Sequence, residues 1–360
     1  MTAIMNARFA QLLLVIIAIS QCIAGSTLVV PKFCLAGEEP TAQAPAAAQS
    51  KPGAVRFLKE WGSQGTEPGE FHFPIGIAIN AADEIFVTDF YNDRVQKFST
   101  EGKLLAVLPV LPTPGGIAIS RSGDIYLSHF AEKKRELRTD DRISVYDPTG
   151  KLLRQWGKTG TADGEFDCPG GLALSADGRV YVADQTNRRV QIFNAEGKFL
   201  GKWGEYGSKE GQFGGKVSLR SRVGGPQFLA FDSKGQVYTT EGSEGRIQKF
   251  TPDGQFVLAW GNNEDKPGSF GGAFTGFKDR KATLQGPVSI CVDKQDRVWV
   301  SAVCGRIQQF TTDGVYLRGV GTAGSEPAQF YAPHGLAFDS RGALYVVDAF
   351  NHRVQKFSVE

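Results

Sequence analysis

Cysteine is scarce and unpatterned in this sequence, and neither sign of charge is in excess. Five cysteines occur in 360 residues, none in a CxxC or CxxCH motif, and only Cys168, Cys291 and Cys304 lie beyond residue 36. An odd number at such spacings argues against a disulfide framework, a zinc knuckle and covalent haem. Cys291 falls in an apolar strand pattern and reads as a small buried hydrophobe; its pairing with Cys304 in an oxidising compartment is left open by spacing alone. Lys and Arg total 40 against 38 Asp and Glu, a net charge of +2. That balance does not mark a nucleic-acid or anionic-surface protein. Helical periodicity is absent after residue 53, which excludes TIM-barrel and Rossmann architectures.

What the sequence has in quantity is glycine, 44 residues against 17 prolines. Glycine supplies positive φ at little steric cost, so this composition suits many short strands joined by tight turns. The front end differs from the rest. Arg8 precedes the apolar run "FAQLLLVIIAIS", and small residues follow around Cys22–Ala24 and Cys34–Ala36. Residues 1–36 therefore read as a secretory signal or an N-terminal membrane anchor. Residues 37–53, "GEEPTAQAPAAAQSKPG", read as a flexible Ala/Pro/Gln linker. The expected location is outside the cytoplasm: periplasmic, extracellular or anchored by the N-terminal segment.

Beyond the linker one phrase recurs six times, as in "DFYNDRVQKF", "DQTNRRVQIF" and "DAFNHRVQKF". Its arginines are Arg94, Arg142, Arg189, Arg246, Arg306 and Arg353, so successive copies lie 48, 47, 57, 60 and 47 residues apart. A proline and an apolar strand precede each copy ("PIGIAI", "PGGLAL", "PHGLAF"), followed by a turn and a second strand. After the arginine strand come another turn and a fourth strand such as "EGKFLGKW". A four-stranded sheet cannot bury both its faces alone, but radial repetition lets each sheet cover its neighbour. The pattern predicts an all-β, six-bladed β-propeller over residues 54–360, expected as a monomer. The sixth unit lacks its fourth strand. "VRFLKEWGSQGTEPGEFHFP", residues 55–74, matches the fourth-strand segments 151–169 and 198–213, so the N-terminal strand is expected to complete the last blade.

The "P-x-G" strands, the "D-x-x-N-x-R" phrase and the "W-G-x-x-G-x-x-x-G-x-F" linker resemble NHL repeats. The resemblance spans about residues 54–360 and implies the six-bladed propeller. Its members include peptidyl-hydroxyglycine lyases, RNA- and protein-binding modules attached to ubiquitin ligases, and bacterial envelope proteins, so it implies no single activity. In the lyases a catalytic metal is held by histidines after the blade prolines. The equivalent positions here are Ile75, Gly115, Gly170, Gln227, Val288 and His334. Only His334 is an imidazole, whereas catalytic zinc takes three protein ligands.

Two functional surfaces follow. The first is a metal or acid/base site at the channel mouth, with His334 and His129 as candidate catalytic groups. Asp348 and Asp89 would be further metal ligands, with His72 near them. Calcium or zinc are the ions such a site would take. The acids five residues before the arginines are Asp89, Asp184, Glu241 and Asp348, with Ser301 in the fifth blade and His129 in the second. Their recurrence favours a structural role, an acid pinned by the arginine in each blade. The second surface is basic. Insertions at 130–141, 205–225 and 262–285 bring Lys133, Lys134, Arg135, Arg138, Arg220, Arg222, Arg280 and Lys281 to loops on the mouth face. Loops on a rigid scaffold carry recognition, and a basic face attracts an anionic partner even at net charge near zero. The expected function is non-catalytic binding of a protein, an anionic glycan or a small anion, not nucleic acid. The membrane is engaged only through the N-terminal segment. A metal-dependent lyase or hydrolase centred on His334 and His129 is the alternative, and no cofactor is required by the first reading.

Overall fold

Residues 53–130, 140–214, 224–272 and 286–360 are described in a computed structural model of the chain. They form six sheets, each of four antiparallel strands. Blade 1 runs Pro74–Ile79, Ile85–Asp89, Arg94–Phe98 and Leu104–Pro109. Blade 3 repeats the plan with Pro169–Leu174, Val180–Asp184, Arg189–Phe193 and Phe199–Trp203. In each blade the second strand is buried along its whole length, and the outer strands of blades 4 and 6 alternate half-buried with exposed residues. That gradient is what a twisted blade wedged between two neighbours produces: both faces of the middle strands are covered, and only one face of the outermost strand. The apolar residues accordingly gather into clusters between blades, such as Phe71, Val87 and Phe98 with Tyr345 and Val354.

The chain closes as its termini predict. Val55–Trp61 pairs antiparallel with Arg353–Val359, placing Val55 opposite Val359 and Trp61 opposite Val354. Arg353 Nη1 donates to Glu60 Oε2 of the closing strand at 2.9 Å. Trp61 then packs on Phe98 of blade 1, with ring centres 5.9 Å apart. Trp156, Trp203 and Trp260 make the same contact with Phe193, Phe250 and Phe310 of the following blade. These tryptophans are inter-blade wedges.

Linkers between blades are set by a glycine and a phenylalanine. Phe71, Phe166, Phe213, Phe270 and Phe330 have no exposed surface. Each ring lies against a linker glycine at positive φ; a Cβ on Gly157 would sit 2.5 Å from Phe166. An L side chain there meets both a steric and a backbone penalty, which is why a glycine opens each of these linkers, after tryptophan in four of them and after Val320 in the fifth.

One expectation about alignment needs correction. Ser301 is not the fifth blade's counterpart of Asp89. The hairpin of blade 5 is one residue shorter, so Ala302 stands opposite Arg306 as Asp89 stands opposite Arg94. Ser301 instead matches Thr88, one step further along the strand. Residues 1–52, on which the expected signal or anchor and nearly all of the expected linker fall, lie outside the described residues. Among the described residues no helix is long and apolar enough to cross a membrane.

Candidate functional site

Loops between second and third strands share one end of the propeller with the linkers between blades, because successive antiparallel strands reverse direction. The repeated acid and arginine sit there. In blade 1, Asp89 is fully buried. Its Oδ1 accepts from the backbone N–H of His72 at 2.7 Å, and its Oδ2 accepts from Arg94 Nε and Asn92 Nδ2, each at 2.8 Å. Arg94 continues outward, donating to the carbonyls of Thr66, Glu67 and Glu70. One guanidinium thus ties its own hairpin to the linker arriving from the preceding blade. Asp184 with Arg189, Glu241 with Arg246 and Asp348 with Arg353 repeat the geometry at 2.7, 2.7 and 2.9 Å. Burial pushes the carboxyls of Asp184, Glu241 and Asp348 above their ordinary pKa, against the pull of the arginine and the N–H donors.

Two blades depart from this plan. In blade 2, His129 stands opposite Arg142, which turns to Asp140 at 2.9 Å. In blade 5, Arg306 meets Asp265 at 3.0 Å, and its buried Nε has no partner among the described residues.

The sequence candidates are therefore not brought together as a metal centre. His129 is buried in blade 2, its Nδ1 2.8 Å from the Pro112 carbonyl and its Nε2 2.6 Å from Ser144 Oγ. A carbonyl only accepts, so Nδ1 carries the proton and Nε2 takes the serine hydroxyl; no lone pair is left for a metal. Burial lowers its pKa to about 4. His334 belongs to blade 6, with Nδ1 2.8 Å from the Ala332 carbonyl. Burial lowers its pKa too. The carboxylates of Asp89 and Asp348 are both engaged in the acid–arginine network. Among the described residues no group of three or more His, Cys, Asp or Glu side chains could hold a metal ion.

A model of the NHL repeat matches residues 71–98, 166–193 and 330–357. Each match runs from a buried linker phenylalanine to a buried third-strand phenylalanine, and these are the blades in which Asp, Asn and Arg all stand in place. The chain is an NHL-repeat β-propeller. Over 325 residues it is 23% identical to mouse E3 ubiquitin-protein ligase TRIM32, covering 84% of this chain and 44% of that protein. Drosophila melanogaster Protein brain tumor is 28% identical over 148 residues, 39% of this chain and 13% of the relative. The chain thus spans less than half the length of these curated relatives. Among solved structures, a protein of unknown function from Bacteroides thetaiotaomicron superposes with a TM-score of 0.63 at 17% identity, over 85% of this chain and 76% of that one. Virginiamycin B lyase from Staphylococcus aureus gives 0.53 at 15% identity, over 85% and 100%. At such identities the likeness shows the fold alone.

Around the mouth of the NHL propeller, in blades 2 to 4, the residue after the proline and the residue after the second strand complement one another in size, a relation the sequence reading missed. Glycine at 115 makes room for the Phe130 ring, and a Cβ there would lie 2.9 Å from it. Glycine at 170 makes room for the Gln185 amide, and glycine at 242 for that of Gln227, at 2.7 and 2.9 Å by the same measure. Aligning the two columns of the repeat side by side would have revealed the exchange. Also missed was a set of hydroxyls that stitch blades together beside the channel. Thr88, Ser128, Thr240 and Ser301 each donate to a carbonyl of the next blade, those of Gly115, Gly170, Val288 and His334, at 2.6 to 2.8 Å. The basic candidates Lys133, Lys134, Arg135, Arg138, Arg220, Arg222, Arg280 and Lys281 all lie outside the described residues.

Proposed function

We propose that this NHL propeller is a non-catalytic binding scaffold, working at the cell envelope or outside the cell, whose mouth face receives a partner protein. The observation that carries this reading is the fate of the acids. Asp89, Asp184, Glu241 and Asp348 are each buried and hydrogen-bonded to an arginine that braces the linker. A side chain with the same structural task in four blades is a framework part, and the rigid face it maintains displays loops. The loops of blades 2 to 4 carry the basic residues, which suit an acidic protein surface, an anionic glycan or a small anion. TRIM32 is named a ubiquitin-protein ligase, an activity directed at proteins, and this supports a protein-facing surface. The apolar segment ahead of the linker supports the location.

Binding is tested by cross-linking the full-length protein to partners in an envelope extract, with wild type, the fourfold reversal Arg220→Glu, Arg222→Glu, Arg280→Glu and Lys281→Glu, and His334→Ala. Loss of the recovered partners on charge reversal, with retention in His334→Ala, supports the reading. The opposite pattern rejects it. The lyase or hydrolase alternative requires His334 and His129 to act together on a metal. Elemental analysis after exhaustive dialysis tests it: about one zinc or calcium per chain, removed by His334→Ala, would establish it.

A further inference from the structure

The residue before each blade proline is where a linker delivers the chain to the next blade, and three of these residues sit in an awkward conformation. Phe73, Thr113 and Cys168 have φ of 63°, 59° and 60°, the left-handed region that a non-glycine side chain disfavours and that a following proline disfavours further. Each is held there in the same way. The side chain just before the repeated arginine of the preceding blade accepts its backbone N–H: Asp93 Oδ1 from Thr113 at 2.9 Å, Asp141 Oδ1 from Cys168 at 3.1 Å, and His352 Nδ1 from Phe73 at 3.1 Å. Where glycine precedes the proline, at Gly225 and Gly286, the corresponding residues are Arg188 and Gly245, which have no side-chain acceptor. Of the non-glycine residues only Ala332, the smallest, goes without, Gly305 standing at the latch position of blade 5. The acceptor thus accompanies the strained residue and latches the joint between blades.

Two latches are carboxylates and the third is an imidazole. The imidazole sits on the joint that closes the ring, where the linker from Val55–Trp61 enters blade 1. Because Nδ1 accepts, the proton of the neutral ring is on Nε2. A second proton has only Nδ1 to go to, and it turns the acceptor into a donor facing the Phe73 N–H. An ordinary carboxylate accepts until about pH 4 and an ordinary imidazole until about pH 6.5, so weak acid singles out the imidazole latch. His352 is half-buried, within reach of solvent. It is faced by His72, with ring centres 6.1 Å apart, and by the carboxylate of Asp89, which Arg94 holds at 2.8 Å. On its own strand Arg353 is neutralised by Asp348 and by Glu60 of the closing strand, each at 2.9 Å. Burial first, and then the neighbouring His72, hold the His352 pKa below its ordinary 6.5, while Asp89 pulls the other way. The bond is therefore present at neutral pH and is lost as pH falls below 6.5.

Phe73 is also the hub of an aromatic cluster at the mouth. Its ring centre lies 5.5 Å from that of His334, 5.0 Å from Phe350 and 5.8 Å from Tyr91, so it spans blades 6 and 1. We propose that the ring-closing joint is a proton-operated latch: neutral His352 holds Phe73 in its left-handed conformation, and protonated His352 releases it and loosens the aromatic edge of the mouth. The latch depends neither on the basic loops nor on what the mouth binds.

The test follows individual backbone amides of the full-length protein by hydrogen exchange in NMR at about pH 7.5 and about pH 5, corrected for the intrinsic pH dependence of exchange. Phe73 reports the latch, and Thr113, held by Asp93, is the reference. In the wild type, protection of Phe73 should fall about ten-fold relative to Thr113 in acid. His352→Asp supplies the acceptor of blades 1 and 2 and should keep Phe73 protected in both conditions. His352→Asn, an acceptor that does not titrate and tolerates the left-handed φ of 55°, gives the same reading if the aspartate variant does not fold. Unchanged protection of Phe73 in the acidified wild type overturns the inference. So does an equal acid loss in the variants, which would trace the effect to His72, His129 or His334. An equal loss at Thr113 would mean general opening of the ring, and overturns it too.

Discussion

Asp184 shows how a single residue can hold a blade and still look catalytic. It is a buried carboxylate with a raised pKa at the mouth of a channel, the profile expected of a functional acid. Its hydrogen bonds to Arg189, Asn187 and the backbone of Asp167 account for it without chemistry. Replacing Asp184 by Asn should leave Arg189 buried beside a neutral partner and destabilise the fold by about 3 kcal/mol, measured as a shift in the urea midpoint. A loss below about 0.5 kcal/mol would make the pair dispensable and reopen a functional role. His129 gives a pH signature. Its pKa is about 4 when folded against 6.5 ordinarily, so the unfolded chain binds the extra proton between those values. Its contribution to stability is present above pH 6.5 and is lost as pH falls toward 4, by at most about 3 kcal/mol. Urea unfolding at pH 7.5 and 4.5 should show a smaller acid loss in His129→Gln than in wild type. An equal loss would remove His129 as the source.

At the scale of the hairpin and the strand, much was legible in the sequence. The second strand, the arginine strand and the fourth strand recur in the repeat, and the structure places them as read. Blade 5 was misaligned because "VWVSAVCGRIQQF" has a turn one residue shorter than "VYVADQTNRRVQIF". Counting back from the arginine then lands on Ser301, whereas strand pairing sets the partner, Ala302. This element carries its own prediction. Ala302→Asp should give Arg306 the carboxylate that its counterparts have, satisfying the unpartnered Nε. A gain of about 1 kcal/mol, seen as a higher melting temperature, is expected; a lower one would mean that the shortened turn cannot seat the side chain. The size exchange between Gly115 and Phe130, or Gly242 and Gln227, was not legible. It is a relation between two columns that become neighbours only when the second strand folds back on the first. The role of the basic insertions rests on sequence.

For the whole molecule, ring closure is the decisive feature. Deleting residues 54–61 removes the strand paired with Arg353–Val359, strips Glu60 from Arg353 and leaves Phe98 without Trp61. Blades 1 and 6 then lose their shared wedge, and the loss should exceed about 4 kcal/mol. A truncated protein with an unchanged melting temperature would contradict closure by this strand. The two ends of the propeller also differ in what they display. The mouth end joins the 2–3 loops and the linkers. The opposite end carries short turns with Lys103, Lys151 and Lys198. Mapping lysine cross-links between the full-length protein and its recovered partner by mass spectrometry tests the central claim most directly. The scaffold account predicts cross-links at Lys133, Lys134 and Lys281 on the mouth-side loops; cross-links confined to Lys103, Lys151 and Lys198 would place the partner on the wrong end and contradict it.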